Sequence, residues 1–580
     1  MIKVNNLSYF FPEKDLYNNI SFTIEEGQHC AFIGASGTGK STFIDLILHP
    51  DKYILDGTIE LQPNMRIGYV SQFSQLDDDT DHMSVFQYIG GDCINLQNKL
   101  QSIADEMESS SEIERLLEEY GEISDEYEAL GGPNFEMEIN KKLNLANLIK
   151  QKDIKINELS GGEFKLIQVI KEMLNNPDLI IMDEPDVFLD FENLNALKNL
   201  INSHKGTMLV ITHNRYLLNH CFNKIIHLEN MELQEFEGRY IDYNFSLLEN
   251  KIELQELAHI DAEEIKRNEA LVEKYRFAAE MNSDSSIGKA ATARLKINER
   301  LEARRIKSPF VFINQPKINL EVENEIEESI ALKITDYSVS FEDTILENVN
   351  FEIKSKDKVV IIGPNGTGKT TLLRDIYKNN HPSIEINKDI EIAYLSQLQS
   401  EIIDDSNTVM EEFFESGFKT SDEIISCLKD YGFNENIMDQ KIGSLSGGEK
   451  NIIQIAKISY NKANMLLLDE PTSHLDTYSQ MALESAIESY KGSILMISHD
   501  FYTIVNSMDY VLLIQDKTIR KMTMKKFKKM IYNKHFDRNY LEIEESKKNL
   551  ETKIALALQD NDFVLAKVLC QELENIIKLL

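Results

Sequence analysis

The chain carries one set of short motifs twice, in the same order along the sequence. GASGTGKS at residues 34–41 recurs as GPNGTGKT 329 positions later, and YVSQ at residues 69–72 recurs as YLSQ 325 positions later. LSGGE, IIMDEP and ITHN, at residues 159–163, 180–185 and 211–214, recur as LSGGE, LLLDEP and ISHD, all 286 positions later. A chain of 580 residues exceeds the size of a single core, so we expect two copies of one domain. The fall from 325 to 286 means that the first copy carries 39 extra residues before its LSGGE.

Composition limits the environment of the chain and the kinds of site it can hold. The first residues lack a basic and apolar leader, and no run reaches the eighteen or so apolar residues that a membrane span needs. The five cysteines lie far apart, without the paired spacing of a disulfide framework, a zinc site or an iron–sulfur cluster. We therefore expect a cytoplasmic protein without a membrane domain.

Each glycine-rich run follows an apolar strand pattern and precedes a helical pattern, which is the context of a phosphate-binding loop. Backbone N–H groups at the start of such a helix face phosphate oxygens, a lysine reaches the β and γ phosphates, and the next hydroxyl binds Mg²⁺. We therefore predict that ATP and Mg²⁺ bind here, with Lys40 and Lys369 on the phosphates and Ser41 and Thr370 on the metal. The complete predicted loops are Gly34, Ala35, Ser36, Gly37, Thr38, Gly39, Lys40, Ser41 and Thr42, and Gly363, Pro364, Asn365, Gly366, Thr367, Gly368, Lys369, Thr370 and Thr371.

Each copy also has an apolar strand pattern that ends in two carboxylates, Asp183 with Glu184 and Asp469 with Glu470. In phosphoryl transfer the first acid of such a pair can hold Mg²⁺ through water, and the second can polarise the attacking water. An acidic pair at a strand end is often only a solvated turn. Because these pairs follow a phosphate loop and an LSGGE, we predict that they are catalytic and that the chain is an ATPase.

The motifs resemble those of the ATP-binding cassette superfamily, over nearly the whole chain apart from its last forty or so residues. The resemblance implies an α/β fold with two P-loop cassettes in tandem. It also implies that LSGGE amides of one cassette bind the γ-phosphate held by the other, so that each ATP is sandwiched between the halves. Amides at the start of a helix are a sound anion site on physical grounds too. The residues concerned are Ser160, Gly161 and Gly162, and Ser446, Gly447 and Gly448.

The same resemblance implies roles for three further pairs of residues. Two glutamines sense the metal and the water, two histidines contact the γ-phosphate, and two aromatic residues stack on adenine. These pairs are Gln72 and Gln397, His213 and His499, and Phe11 and Phe341. Phe10 is an alternative to Phe11 as the adenine stack, and a plain core position for Phe11 fits its surroundings equally well.

Two long helical patterns lie outside the repeated motifs. From Tyr240 to about Pro309 the chain forms charged, heptad-like stretches broken by NSDSSIG, which predicts an antiparallel hairpin of two helices. The surplus of the first copy has an acidic helical pattern that ends at a Gly-Gly-Pro break, which predicts a helical arm. The predicted domains are a first cassette at 1–241 with its arm at about 92–133, a linker at 242–325, a second cassette at 326–524 and a basic helical C-terminal extension at 525–580.

Tandem cassettes without membrane domains, a long helical linker and an arm in the first copy together resemble the ABC-F family. GRYIDYNFSLLENK, from Gly238, matches the family's passage into the linker, and YEALGGPN, from Tyr127, matches its arm-closing turn. The resemblance implies a monomeric ATPase that binds the 70S ribosome at the exit tRNA site, with the linker reaching toward the peptidyl-transferase centre. Some members rescue stalled ribosomes and others protect ribosomes from antibiotics. We expect the protective role, with a housekeeping translation factor as the alternative.

The distribution of charge bears on the partner. A net charge of −36 argues against a polyanion partner, but the positive charge is segregated. Seven basic residues lie between Lys289 and Lys307, and nine lie between Lys517 and Arg538. Such runs are often solvated helix faces. In a protein that binds ribosomes we predict that the linker, the arm and the basic C-terminal segment contact rRNA and tRNA, and we expect no DNA partner.

The first cassette departs from the family pattern. After the acidic pair the family usually has Thr-Asn-His-Leu-Asp, whereas residues 186–190 read DVFLD and residues 472–476 read TSHLD. We therefore expect the first site to turn over more slowly, so that Glu470→Gln impairs hydrolysis more than Glu184→Gln. The linker tip departs as well, since residues 282–286 read NSDSS where the family is often basic.

Two rival classes predict different material between the motifs. The ATPase subunit of a membrane transporter predicts a short or absent linker, and a DNA-linked cassette ATPase predicts a coiled coil inside one cassette. Neither fits a long linker with a basic second helix and a short arm in one copy. The last forty residues resemble the C-terminal extensions of part of the ABC-F family, and a helix pair packed on the second cassette is an equally good interpretation.

Overall fold

The structure is a computed structural model that gives the chain as two compact units. It describes residues 1–10, 15–72, 80–107, 113–187, 189–282, 285–303, 310–311, 315–324, 327, 329–340, 344–397, 402–535 and 540–579. The first unit comprises Met1–Glu237 and Gln315–Met530, and the second comprises Gly238–Asn314 and Ile531–Leu580. Both sets of repeated motifs therefore lie in the first unit.

The first cassette is built on a mostly parallel sheet. Its strands are β1 (Ile2–Phe10), β2 (Asp15–Ile24), β3 (His29–Ile33), β4 (Asp56–Leu61), β5 (Ile67–Val70), β6 (Leu179–Asp183), β7 (Thr207–Ile211), β8 (Lys224–Glu229) and β9 (Glu232–Glu237). Its helices are α1 (Lys40–Leu48), α2 (Val85–Met107), α3 (Ile113–Ala129), α4 (Phe135–Leu145), α5 (Gly161–Leu174), α6 (Phe191–Ser203) and α7 (Arg215–Cys221). The sheet has the order β5-β6-β7-β3-β8-β9, with β9 antiparallel, and a smaller antiparallel sheet has the order β2-β1-β4.

The central strands explain why the motifs converge. Every residue of β6 and β7 is buried, as expected for parallel strands that are covered on both faces and therefore apolar throughout. Because neighbouring parallel strands end at the same edge, the phosphate loop after β3, the acidic pair at the end of β6 and the ITHN segment at the end of β7 meet there.

The arm is a pair of helices that pack on each other. The predicted arm begins at about residue 92, whereas α2 begins at Val85, because its first turns bury Val85 and Ile89 in the cassette. α3 ends at the predicted break, where Gly131 has the left-handed φ of 100° that favours glycine.

The linker forms the predicted helical hairpin, α8 (Tyr240–Asn282) and α9 (Ser285–Ala303). The 43 residues of α8 correspond to roughly 65 Å at 1.5 Å per residue. α9 begins inside the NSDSSIG segment that we predicted to be a break. The hairpin interior contains a polar layer in which Asn268 Nδ2 donates to Asn298 Oδ1 at 2.9 Å and Arg294 donates to Asn268 Oδ1 at 2.8 Å. A buried polar layer of this kind fixes the register of two packed helices.

The second cassette repeats the plan of the first. Its strands are β10 (Ile330–Ser340), β11 (Thr344–Lys354), β12 (Lys358–Ile362), β13 (Ile384–Ile386), β14 (Ile392–Leu395), β15 (Met465–Asp469), β16 (Ser493–Ile497), β17 (Tyr510–Gln515) and β18 (Thr518–Thr523). Its helices are α10 (Lys369–Lys378), α11 (Val409–Glu415), α12 (Ser421–Asp430), α13 (Gly447–Asn461), α14 (Thr477–Ser489), α15 (Phe501–Ser507) and α16 (Met524–His535). The main sheet has the order β14-β15-β16-β12-β17-β18, which matches the first cassette strand for strand.

The C-terminal extension is the helix pair α17 (Tyr540–Gln559) and α18 (Phe563–Ile577). α18 packs on both α17 and α8, and one apolar cluster includes Ile252, Ile554 and Ala566, each with no more than 2% of its surface exposed. An ion pair between Lys567 and Glu256 lies beside this cluster. Linker and extension therefore share one core in the second unit.

The predicted fold class is confirmed in its parts: two α/β cassettes, an arm in the first, a helical hairpin between them and a helical extension. None of the helices in the described ranges is both long enough and apolar enough to cross a membrane.

Candidate nucleotide sites between the cassettes

Each phosphate loop connects a buried strand to the first turn of a helix, β3 to α1 and β12 to α10. The loop lysine is buried, and its Nζ donates to backbone carbonyls of its own loop. Lys40 Nζ lies 3.0 Å from the carbonyl oxygen of Gly34 and 2.9 Å from that of Ala35, and Lys369 makes the two equivalent bonds at 2.8 Å. Each ammonium group thus lies inside the loop at a helix N-terminus, where a bound anion is favoured.

The acidic pairs lie where the sequence predicts, at the ends of β6 and β15. The second acid of each pair has a left-handed backbone, with φ of 46° at Glu184 and 49° at Glu470. This conformation is costly for a residue with a side chain and is found mostly at functional sites. The backbone N–H of each strained residue donates a hydrogen bond of 2.9 Å to the carbonyl oxygen at the end of the next strand, at Ile211 and Ile497.

The first acid of the pair has the environment that a divalent cation requires. Asp183 is 5% exposed, and its Oδ1 has no hydrogen-bond partner among the described residues. Burial raises the pKa of Asp183 to about 6, although a hydrogen bond from the Ser41 hydroxyl acts in the opposite direction. A buried carboxylate oxygen beside a hydroxyl and a phosphate loop fits Mg²⁺, which binds one or two protein oxygens together with phosphates and water. The residues present therefore fit the predicted metal.

The phosphate loop of the first cassette lies directly against the second cassette. The amide of Ser36 donates to Asp476 Oδ2 at 3.1 Å, and the Ser36 hydroxyl approaches the carbonyl oxygen of His474 at 3.5 Å. Gly448 of the second LSGGE lies at the same place, because a Cβ on it would be only 2.5 Å from Ser36 Oγ and from the His474 carbonyl oxygen. The structure thus brings together the residues predicted to sandwich one ATP, and we name this place site 1.

The LSGGE segments begin helices α5 and α13 with a reciprocal capping box. The hydroxyls of Ser160 and Ser446 each accept the amide of the glutamate three positions later, and the carboxylates of Glu163 and Glu449 accept the serine amides. The glutamate of the motif therefore has a structural role at the helix start, which the S-x-x-E spacing could have indicated from the sequence.

Glu184 is held from both cassettes. Gln72 Nε2 donates to Glu184 Oε2 at 2.6 Å, and His474 Nδ1 of the second cassette lies 3.3 Å from the same oxygen and 3.3 Å from Gln72 Nε2. Burial acts to raise the pKa of Glu184, but the contact with His474 and the positive charges nearby leave that pKa below its usual value. These contacts favour the ionised form of the Glu184 carboxyl group, the form in which it can accept a proton from water.

Site 2 is the counterpart, formed by the phosphate loop of the second cassette. It opens into a cavity of about 420 Å³ that both cassettes line, with Lys369, Thr370 and Gln397 on one side and Asp186 and Leu189 on the other. Both catalytic candidates, Glu184 and Glu470, face this cavity, as do both predicted histidines, His213 and His499.

Glu470 lies in a different environment from Glu184. The amide of His499 donates to Glu470 Oε2 at 3.2 Å, and His499 Nε2 lies 3.5 Å from Oε1. Burial, together with the charge of Asp469, raises the pKa of Glu470. In the sequence repeat the counterpart of His474 is Phe188, which lies outside the described residues.

The two predicted histidines are neutral. Burial and the adjacent Lys40 lower the pKa of His213 to about 4, and burial and Lys369 lower the pKa of His499 to about 3. A neutral imidazole can donate one hydrogen bond to a phosphate oxygen while its other nitrogen accepts one.

The unusual D-loop of the first cassette, residues 186–190, comes with a second change on α5. Asp186 accepts a hydrogen bond of 2.6 Å from Thr212, and the equivalent residue of the second cassette is Thr472. Lys165 donates to the backbone carbonyls of Ser71 and Gln72, whereas its counterpart in the second cassette is an asparagine. The buried cation of Lys165 accompanies the extra, partly buried acid Asp186, so the divergence of the first cassette is compensated in charge.

The sequence-based predictions missed several residues of these sites, and two of the predicted residues lie outside the described part of the chain. They missed His474, Asp476 and Lys165. A comparison of positions 286 apart would have singled out Lys165, because the second cassette has Asn451 at the corresponding position. The predicted adenine stacks, Phe11 and Phe341, lie outside the part of the chain that the structure describes. The alternative, Phe10, ends β1 with 54% of its side chain exposed.

A comparison with sequence families assigns both cassettes. The profile of the ABC transporter family matches residues 17–187 and 346–473, which together are more than half of the chain. The chain belongs to the ABC transporter family. It is therefore an ATPase of that family, and each matched segment contains one phosphate loop and one acidic pair.

Relatives of this ABC protein cover nearly its whole length. The uncharacterized ABC transporter ATP-binding protein YfmM of Bacillus subtilis is 29% identical over 520 residues, which cover 87% of this chain and 96% of YfmM. The energy-dependent translational throttle protein EttA of Escherichia coli K12 is 29% identical over 87% of this chain and 90% of EttA. ABC transporter F family member 5 of Arabidopsis thaliana is 27% identical over 89% and 75% of the two chains. Within the ABC family the chain thus matches ABC-F proteins, as the linker and the arm predicted.

Solved structures share the tandem fold. The RNase-L inhibitor superposes with a TM-score of 0.54 at 18% identity, over 92% of both chains. The archaeal ribosome recycling factor aABCE1, crystallised with the ribosomal stalk protein aP1, gives a TM-score of 0.53 at 18% identity over 91% and 92%. At this identity the likeness concerns the fold alone.

Proposed function

We propose that this ABC-F ATPase binds the 70S ribosome near the exit tRNA site and uses ATP to remodel the peptidyl-tRNA and peptidyl-transferase region. The observation that carries the proposal is a combination of two features: two cassettes in contact across a nucleotide site, and a helical hairpin of the 43-residue α8 with α9 in the segment of chain that connects them. The relative EttA, whose name describes a translational throttle, supports a ribosomal role. A single chain supplies both halves of the sandwich, so we propose that the protein acts as a monomer. We propose the cytoplasm, where ribosomes are found, as its location.

The proposed catalytic cycle assigns a task to each group of residues. ATP binding closes the cassettes, because the LSGGE amides of one cassette donate to the γ-phosphate held by the other. The glutamate after each strand orients and deprotonates the attacking water, and the neutral histidine donates to the γ-phosphate. Mg²⁺, when bound, neutralises charge on the phosphates, and the residues that would hold it are Ser41, Asp183 and Gln72 in site 1 and Thr370, Asp469 and Gln397 in site 2.

The basic islands differ in what they can offer to RNA. Arg294 of the linker donates to Asn268 inside the hairpin, whereas Lys289, Lys296 and Arg300 are exposed. In α16, Phe527 is buried while Lys525, Lys526 and Lys529 are exposed. We propose that α16 is a phosphate contact on rRNA.

Charge reversal on α16 tests this contact. The triple change Lys525→Glu, Lys526→Glu and Lys529→Glu should weaken ribosome binding, and the slope of log K against log salt should shrink by roughly 0.7–0.9 per lost phosphate contact. Binding is measured by sedimentation with ribosomes at several salt concentrations. The matched control reverses the exposed and scattered lysines Lys52, Lys205 and Lys378, which changes net charge equally and should leave the slope unaltered. An α16 variant that binds with the wild-type slope would remove this helix from the interface.

Within the ribosomal role we propose protection against antibiotics, and EttA favours the alternative, a housekeeping translation factor. The diverged first cassette and the atypical linker tip support a specialised role. Expression in a sensitive host, followed by susceptibility testing with lincosamides, pleuromutilins, macrolides and phenicols, separates the two. A rise in resistance to one class supports protection, and unchanged susceptibility to all four supports the translation factor.

A further inference from the structure

Arg215 forms a buried bridge from the first cassette to the second. Its Nη2 donates to Asp500 Oδ2 at 2.9 Å and to Glu484 Oε1, and its guanidinium lies 4.9 Å from the ring centre of Tyr502. The three charged side chains are only 11–15% exposed. Asp500 and Glu484 both belong to the second cassette, so one cation of the first cassette serves two carboxylates across the interface.

Both carboxylates also have hydrogen-bond partners within the second cassette. Thr503 Oγ1 lies 2.8 Å from Glu484 Oε1 and 2.7 Å from Asp500 Oδ2, and Asn506 Nδ2 donates to Glu484 Oε2 at 3.1 Å. These partners fix the positions of the two carboxylates, and the donors of a planar guanidinium have a rigid geometry. Arg215 can therefore bind both carboxylates in one relative arrangement of the cassettes only.

The bridge joins the two segments that carry the predicted γ-phosphate histidines. Arg215 follows His213 by two positions and begins α7, which Asn214 caps. Asp500 follows His499 directly and caps α15, by accepting the amide of Tyr502. Both histidines line the cavity between the cassettes. The two ion pairs of Arg215, together with a hydrogen bond of 3.1 Å from Asn219 Nδ2 to the Tyr502 hydroxyl, thus connect the two histidine segments directly.

The reciprocal bridge is excluded by the sequence. Positions 286 apart pair Arg215 with Phe501, Glu484 with Lys198 and Asp500 with Asn214, so the second cassette lacks the cation and the first lacks the acids. Phe501 instead packs against Phe191 of the first cassette in a tilted arrangement, with ring centres 6.0 Å apart. The Arg215 bridge therefore has no counterpart of the same residue types on the other side of the repeat.

We propose that Arg215 is a positioning residue that couples the two nucleotide sites, by fixing the histidine segment of site 1 to that of site 2 when the cassettes close. The proposal rests on the proposed roles of His213 and His499. Coupling means that the state of one site changes the rate at the other, and removal of the connection makes the two sites independent.

The test compares single-site activities in the full chain without ribosomes. With Arg215 intact, the ATPase rates of Glu184→Gln and Glu470→Gln should sum to roughly one fifth of the parent rate or less, since each blocked site also slows the other. In an Arg215→Gln background the two rates should sum to the rate of the Arg215→Gln parent. We call the deficit the amount by which the two single-site rates, added together, fall short of the parent rate. Arg215→Lys keeps the positive charge but lacks the planar, forked geometry of the guanidinium, so it should restore part of this deficit.

A matched control separates coupling from stability. Lys457 and Glu412 form an equally buried ion pair inside the second cassette, so Lys457→Gln should lower the melting temperature but keep the wild-type deficit. If Arg215→Gln does not melt cooperatively, Glu484→Gln replaces it, because Arg215 then keeps Asp500 as a partner and a smaller deficit is expected.

Two outcomes would overturn the proposal. One is a folded Arg215 or Glu484 variant with the full wild-type deficit, and the other is a wild-type protein in which the two single-site rates already sum to the parent rate. Because no ribosome is present, neither outcome bears on the proposed ribosomal function.

Discussion

Gly448→Ala is expected to lower hydrolysis at site 1 about a hundredfold. A methyl group at this position would lie 2.5 Å from the carbonyl oxygen of His474 and 2.5 Å from Ser36 Oγ, both much shorter than any normal carbon contact. The carbonyl belongs to the backbone and cannot rotate away, so the phosphate loop and the second LSGGE must move apart. A displacement of about 1 Å at a reacting centre costs on the order of a hundredfold in rate.

The measurement is steady-state ATPase in a Glu470→Gln background, in which site 1 supplies the remaining activity. The matched control is Gly121→Ala in the arm helix α3, where nothing lies within 4 Å of the added carbon and alanine favours the helix. The control should hydrolyse ATP at the rate of its background. A Gly448→Ala protein that matches the control would show that the cassettes do not meet at Gly448 during the cycle.

Glu470→Gln is expected to reduce ATP hydrolysis more than Glu184→Gln does. Loss of a positioned general base costs about 10²–10⁴-fold at its own site. At site 1 we expect a smaller loss of activity, because His474 can take over part of the role of Glu184. Its Nδ1 lies 3.3 Å from the Glu184 carboxylate and 3.3 Å from Gln72 Nε2. The residue of the first cassette that corresponds to His474 in the repeat is Phe188, which has no titratable group.

Single-turnover hydrolysis of the two variants checks this order, and His474→Ala supplies the control. His474→Ala combined with Glu184→Gln should remove the residual activity of site 1, while His474→Ala combined with Glu470→Gln should retain more than Glu470→Gln, Glu184→Gln does. Equal losses for the two single variants would contradict the expected order.

The local patterns could be predicted from the sequence because each has a local physical cause. Apolar runs before GASGTGKS and GPNGTGKT gave the buried strands β3 and β12, and the charged heptads after Tyr240 gave α8 and α9. The LSGGE serines cap helices because a hydroxyl three residues before a glutamate satisfies free amides in any context.

The contacts between the copies could not be predicted, because nothing local specifies them. His474 and Glu184 are 290 residues apart, and Arg215 and Asp500 are 285 apart, on opposite copies of the repeat. A periodic pattern shows which face of a helix is apolar but not which residue of another domain it meets. The boundaries of the cassettes and the roles of the site residues remain predictions.

Co-sedimentation of Glu184→Gln, Glu470→Gln with 70S ribosomes tests most directly whether ATP binding drives this chain onto the ribosome. This double variant keeps both phosphate loops and both LSGGE segments but lacks both catalytic carboxylates, so ATP should hold its cassettes closed. We predict that it pellets with ribosomes when ATP is present and stays in the supernatant when ADP replaces ATP. A double variant that binds ATP yet stays in the supernatant would contradict the ribosomal function.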